Sequence, residues 1–186
     1  MSVIKMKILS TNIPGCFEIS PNIFKDHRGE LIKIFHQEIF AQHGLETDFV
    51  EDYYSFSSRN VLRGLHFQIP PKDHTKLVAC VMGEVVNVVV DLRVNSPVYG
   101  KFEIFRLSDE KANMAYVPRG LAHGFHVISE TAIVLCKLST VYSPEHDQGI
   151  LWNSVDVPWP NINFILSEKD KKLPCLADFA SPFLFK

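Results

Sequence analysis

The sequence predicts an all-β domain, a sandwich or barrel of short strands with a few short helices. Three observations carry that expectation. Runs rich in β-branched residues recur at close, regular spacing. Turn residues separate almost every pair of runs. Helical periodicity is scarce.

KLVACVMG (76–83) and EVVNVVVDLRV (84–94) read as successive strands, with Gly83 at the turn between them. FEIFRLS (102–108), NMAYVP (113–118), HGFHVIS (123–129) and TAIVLCKLSTVY (131–142) continue the series. NSPVYG, SDEKAN, PRG and SPEHDQG supply the intervening turns. FHQEIFAQHGL (35–45) sets Phe35, Ile39 and Phe40 on one side and stops at Gly44, which predicts a short helix. In SEKDKKL (167–173), Ser167 is placed to cap a second short helix, with Asp170 three residues on and Pro174 beyond its end. The tail ADFASPFLFK is apolar enough to dock on the body of the domain.

The 186 residues fit one domain spanning 1–186. A formal net charge of -2, with no basic block, excludes nucleic acid as an expected partner. No apolar run reaches membrane-spanning length, so no membrane partner is expected. The start, MSVIKMKILSTNIPGCF, lacks the apolar core and small-residue cleavage site of a signal peptide, and a cytoplasmic location is expected. Cys16, Cys80, Cys136 and Cys175 are scattered without a CxxC pair, which argues against a zinc knuckle or a dithiol redox motif.

The strand-rich middle carries polar residues that a barrel interior tolerates only when they are used or satisfied: Arg63, His66, Gln68, Lys76, His123 and His126. Taken singly, each histidine reads as a hydrogen-bonded core or rim residue, and Arg63 and Lys76 as strand-end charges. Residue types and spacing alone lead to an all-β domain with a polar-lined interior.

Five ordered motifs go further: VLRGLHFQIPP, KLVACVMGEVVNVVVDLRVNSPVYGK, VPRGLAHGFHVIS, VYSPEHDQGILWN and ILSEKD. Together, from about Phe24 to Asp170, they closely resemble the RmlC-like family of dTDP-4-dehydrorhamnose 3,5-epimerases and related sugar epimerases. The resemblance implies a cupin-like antiparallel β-barrel (jelly roll) and a homodimer that exchanges N-terminal strands. The implied substrate is a nucleotide-linked 4-keto sugar, inverted beside its ketone without a cofactor. Such an inversion takes a proton from carbon, holds an enolate, and returns a proton from the opposite face.

The roles follow position by position as the resemblance implies them. His66 matches the base and Asp170 its carboxylate partner, against the capping reading of Asp170. Lys76 matches the lysine that stabilises the enolate. Arg63, His123, Arg28 and Lys169 match substrate-holding positions, Tyr142 matches an aromatic of the site, and Asp147 is grouped with the substrate-binding residues.

Three departures from the family pattern stand out. The acid of the family is a tyrosine in a pattern like LYKVTNYY; the matching stretch here is LCKLSTVY, which puts Cys136 in its place. The Cys136 thiol is one candidate donor, but it is several bond lengths shorter than a tyrosine, so Tyr142 or a bridging water competes. A weakened acid leads to the expectation that carbon 3 is inverted, with carbon 5 an open question. Second, Glu51, Asp52 and Tyr53 replace a QDN triplet at nucleotide-binding positions, and third, Lys33 replaces a glutamate. Because a carboxylate accepts from an exocyclic amine, Glu51 points to CDP- or GDP-linked sugars as well as dTDP-linked ones.

A metal is not expected. The place where a metal cupin has HxH reads His66, Phe67, Gln68, a poor donor set with His123. His126, three residues from His123 on a strand, points to the other face. A 3,4-ketoisomerase of related fold and an inactive nucleotide-sugar binding module are the alternatives.

Overall fold

The computed structural model describes residues 5–160 and 163–185. Thirteen strands are formed among them. They are β1 (Met6–Ser10), β2 (Phe17–Pro21), β3 (Ile23–Asp26), β4 (Gly29–Ile32), β5 (Glu51–Ser58), β6 (Leu62–Gln68) and β7 (Lys76–Met82). The rest are β8 (Glu84–Asp91), β9 (Phe102–Ser108), β10 (Met114–Val117), β11 (Leu121–Val127), β12 (Thr131–Leu138) and β13 (Asp147–Gly149). One sheet runs β1-β2-β10-β7-β12-β5 and the other β13-β6-β11-β8-β9, all neighbours antiparallel. β3 and β4 form a separate hairpin. This is the antiparallel cupin-like jelly roll that the motifs implied.

The two sheets close on a core built from alternate residues of each strand. Val78 and Cys80 of β7, Val134 and Cys136 of β12, Val85 and Val89 of β8, and Phe125 and Val127 of β11 meet there, all buried. The outer faces of β7 and β8 are covered as well, which is why they read as nearly continuous apolar runs. Helix α1 (Gln37–Gln42) and its flanks place Phe40, Leu45 and Ile34 over Leu77, Ala79 and Met114. The C-terminal tail does the same for the other sheet: Phe179 and Phe183 stack on Phe67 with ring centroids 5.0 and 5.7 Å apart. No helix among the described residues is long and apolar enough to cross a membrane.

Both predicted helices form in shortened versions. The first ends where Gly44 adopts φ 67°. The second is a single 3-10 turn, Asp170–Lys172, and Ser167 Oγ accepts the Asp170 N–H at 3.1 Å as a cap should. The strands β1 to β6 and the short β13 are not among those the sequence predicts. β3, β4 and much of β5 are exposed, so they carry little of the apolar alternation that betrays a strand.

Close approach of β6 and β11 sets up the site. Gly64, at φ 120°, lies against Gly124: a Cβ at Gly64 would fall 2.6 Å from Gly124 Cα, and one at Gly124 would fall 2.6 Å from the Arg63 carbonyl oxygen. The register slips between His123 and Phe125, and His66 comes to stand directly opposite His123.

Candidate active site

A cavity of about 410 Å3 opens between the two sheets. From the five-stranded sheet it is lined by Arg63, His66, Gln68, His123 and Phe125. From the six-stranded sheet come Glu51, Tyr53, Lys76 and Leu138. His74, Tyr142 and Asp147 stand around it.

His66 and Asp170 form a dyad across 104 residues of sequence, His66 Nε2 to Asp170 Oδ1 at 2.7 Å. Asp170 is 3% exposed. Burial raises its carboxyl, but hydrogen bonds from His66, the Gly64 N–H and Ser167 outweigh that and hold it below the usual carboxylate range. A carboxylate accepts, so Nε2 carries the imidazole proton and Nδ1 keeps its lone pair as the basic nitrogen. The capping and dyad readings of Asp170 are compatible: its backbone N–H is capped by Ser167 while its carboxylate serves His66.

Lys76 is fully enclosed, and its Nζ donates to the His66 carbonyl oxygen at 3.3 Å. Burial pushes its ammonium down, partly opposed by Cys136 and Asp147. A desolvated donor next to the base is suited to an oxygen on which negative charge develops. His123 Nε2 lies 2.7 Å from Asn87 Oδ1. Burial, then the nearby charges of Lys76, His66 and His74, hold His123 well below its ordinary value, so it stays neutral. The amide oxygen accepts a hydrogen bond from Nε2–H, which leaves Nδ1 as an acceptor.

The rim is a charged chain. Tyr142 Oη donates to Asp147 Oδ2 at 3.1 Å, and Lys169 pairs with the same oxygen. Asp147, the Tyr142 hydrogen bond and slight burial raise the Tyr142 hydroxyl, against Lys169. The Glu51 carboxylate accepts the Tyr142 backbone N–H at 2.7 Å. Arg63 Nε donates to Ser57 Oγ at 3.1 Å, which fixes its guanidinium at the cavity edge.

Most residues singled out from the sequence therefore converge: His66, Asp170, Lys76, Arg63, His123, Glu51, Tyr53, Tyr142, Asp147 and, through Asp147, Lys169. Cys136 lies beneath the wall, 1% exposed, with its thiol pushed up by burial against the effects of Lys76 and Tyr53. Arg28 and Lys33 do not reach the cavity of their own chain. Arg28 is spent on Asp26 in the exposed β3–β4 turn, and Lys33 is exposed just beyond β4. His126 turns away from His123 and packs edge-on against Phe164, centroids 4.8 Å apart.

Two polar residues of the site were missed. Asn87 is the lone amide in the valine run EVVNVVVD, and that isolation was the available signal, since a buried amide there needs a partner. His74, two residues before Lys76, is pushed down to about 3 by burial and by Lys76 and Arg119, and Gln68 Nε2 lies 3.3 Å from its Nδ1. Gln68 also donates to the Lys72 carbonyl at 2.7 Å and accepts from the Ser143 N–H at 2.6 Å. Its amide latches the strand ends together and is not free to ligate. Among the described residues no group of three or more His, Cys, Asp or Glu is arranged to hold a metal ion.

Comparison with known proteins agrees with this geometry. Residues 10–178 match the family model for dTDP-4-dehydrorhamnose 3,5-epimerase. The dTDP-4-dehydrorhamnose 3,5-epimerase of Shigella flexneri is 41% identical over 168 residues, covering 89% of this chain and 93% of the relative. The crystal structure of dTDP-6-deoxy-D-glucose-3,5-epimerase from Legionella pneumophila, in complex with dTDP-4-keto-L-rhamnose, superposes with a TM-score of 0.94 at 33% identity, covering 98% of this chain and all of that one (100%). A 3'-monoepimerase from Streptomyces bikiniensis, in complex with dTDP-quinovose, is more distant at 30% identity and a TM-score of 0.87, covering 91% and 87%.

Proposed function

The chain belongs to the dTDP-4-dehydrorhamnose 3,5-epimerase family, and from that premise we propose that it inverts carbons 3 and 5 of a dTDP-linked 4-keto-6-deoxy sugar. It is an isomerase of nucleotide sugars, and the finer assignment is to sugar, base and carbons. The observation that carries the reading is the His66–Asp170 dyad, with Nδ1 free as base and the Lys76 ammonium beside it. The base takes the proton next to the ketone, Lys76 holds the enolate oxygen, and a donor on the far wall returns a proton.

Two expectations from the sequence give way here. Loss of the family tyrosine at position 136 pointed to inversion of carbon 3, with carbon 5 an open question. The relatives with the greater likeness are named for inversion of both carbons, and they favour the two-carbon reaction. Glu51 pointed to CDP- or GDP-sugars. Its carboxylate is engaged by the Tyr142 N–H, and the relatives are named for dTDP-sugars, which favours dTDP. The protein acts as a homodimer in this proposal, with Arg28 and Lys33 of the β3–β4 arm serving the site of a second copy. That role accounts for their distance from the cavity of their own chain.

Incubation of dTDP-4-keto-6-deoxyglucose in heavy water, followed by NMR, tests the reading. Deuterium incorporation with inversion at both carbons is expected. Inversion at carbon 3 alone restores the narrower reaction, and a shifted ketone identifies a ketoisomerase. Calorimetry with TDP, CDP and GDP tests the base, and light scattering tests the dimer.

A further inference from the structure

Inversion requires a proton delivered to the ring face turned away from the base, and the two walls of the cavity are chemically unequal. His66 stands on the five-stranded sheet. On the opposite wall the register aligns Tyr53 of β5, Cys136 of β12 and Val78 of β7 in one row across three strands. Alternation along β5 turns Glu51 and Tyr53 toward the cavity, where Tyr53 stays 45% exposed, and leaves Tyr54 and Phe56 on the outer face, 69% and 60% exposed.

We propose that the phenol of Tyr53 is the acid of this site, giving its proton to the substrate carbon from the face opposite His66. This rests on the epimerase reading above.

The other donors near the cavity are placed elsewhere. Lys76 directs its Nζ to the His66 carbonyl, on the side of the base. The Tyr142 hydroxyl is held by Asp147, whose strand β13 pairs with β6 and so belongs to the sheet that carries His66. Cys136 is buried below the wall, directly across from Tyr53 in the register of β12 and β5. Directly paired side chains stand about 5 Å apart at Cβ, so a large residue at 136 would compete for the space the Tyr53 ring fills. Cys136 is thus a positioning residue: its side chain is small enough to admit the ring. Burial, then the neighbouring Cys136, Glu51 and Asp147, push the phenol up, which keeps it protonated at neutral pH. The row also places Tyr53 next to the position where the family pattern carries its tyrosine, one strand over.

The step balances. His66 Nδ1 takes the proton from carbon 3, and that electron pair forms the double bond to carbon 4 while charge moves to the ketone oxygen beside Lys76. The enolate pair then takes the Tyr53 proton from the other face. The resulting phenolate and imidazolium are reset by proton exchange through solvent, with no net redox change.

The test uses the full chain with dTDP-4-keto-6-deoxyglucose in heavy water. Tyr53→Phe should still bind dTDP and still exchange the carbon 3 proton, because base and enolate are intact and His66 can return deuterium to the same face. Inversion should fall by roughly 10²–10⁴-fold. Inversion by Tyr53→Phe within threefold of wild type overturns the proposal. So does loss of exchange together with inversion while dTDP binding is retained, which would make the residue a general positioning group. As a second probe, 3-fluorotyrosine at position 53 keeps a phenol donor in place and should hold inversion within about tenfold of wild type, and a loss as deep as that of Tyr53→Phe overturns the proposal as well. A wild-type protein that neither exchanges nor inverts would instead refute the epimerase reading itself.

Discussion

Replacing Asp170 with asparagine tests the dyad with almost no change in shape. The amide can still fill the 3%-exposed space and accept the Gly64 N–H. Its NH2 group, however, can face His66 Nε2 only as a donor. The imidazole would then carry its proton on Nδ1, the nitrogen turned to the substrate, and the base would be lost through the wrong tautomer. Deprivation of a positioned base lowers rate by roughly 10²–10⁴-fold, equal to about 3–5 kcal/mol of transition-state stabilisation. Both exchange and inversion should fall together, since both begin with proton abstraction, and dTDP affinity should hold. A second readout is acid stability. The Asp170 carboxyl is held below its ordinary 3.8, so its contribution is present above that pH and is lost as pH falls through the folded-state value. The asparagine variant should therefore show a shallower loss of stability below about pH 4. Asp170→Asn with exchange within threefold of wild type would refute the assignment of Asp170 as the partner that sets the tautomer.

Lys76→Met removes a buried ammonium whose folded-state value is depressed, so at neutral pH the charge costs stability. Chemical denaturation should show the variant more stable by roughly 1 kcal/mol while kcat falls by about 10²–10³-fold. His74 is half-buried and neutral; its value falls from 6.5 to about 3, so the stability it leaves intact above pH 6.5 is lost as pH drops toward 3, by at most about 5 kcal/mol. His74→Gln keeps an acceptor for Gln68 and should flatten that part of the stability–pH curve in urea melts. Gly124→Ala would put a Cβ 2.6 Å from the Arg63 carbonyl oxygen and 3.2 Å from Gly64 Cα, both backbone atoms. Thermal melting should report a loss of about 1–3 kcal/mol, with kcat reduced because His66 and His123 move apart.

The fold was legible where strands are covered on both faces. β7 and β8 announce themselves because helix α1 and the C-terminal tail bury their outer sides as well as the core side. The same physics hid the N-terminal third. β3 and β4 make an exposed hairpin, whose residues satisfy no core and leave no apolar period to read. The site was legible through its motifs: the resemblance implied the roles of Lys76, Asp170 and His123, where residue types alone gave a strand-end charge, a helix cap and a core histidine. Pairing was not: that Gly64 lies on Gly124, or that Asn87 serves His123, depends on strand register, which no single run of sequence states.

Cys136 shows what register adds. Read along the chain, the thiol is a substitution that weakens an acid, and a narrower reaction follows from it. Read across the sheet, Cys136 is one member of a row in which Tyr53 is the next, and the two side chains stand side by side on one face. A large residue at one position and a small one at the other fill that row in either arrangement. The phenol can therefore be supplied from β5 as well as from β12, and loss of the tyrosine at 136 no longer implies loss of the acid. A swap variant, Cys136→Tyr with Tyr53→Asn, would move the phenol one strand over while keeping the row filled. It should recover inversion to within about tenfold of wild type, whereas Tyr53→Asn alone should not. Equal inversion by the single and the double variant would show that the two positions do not act as one row.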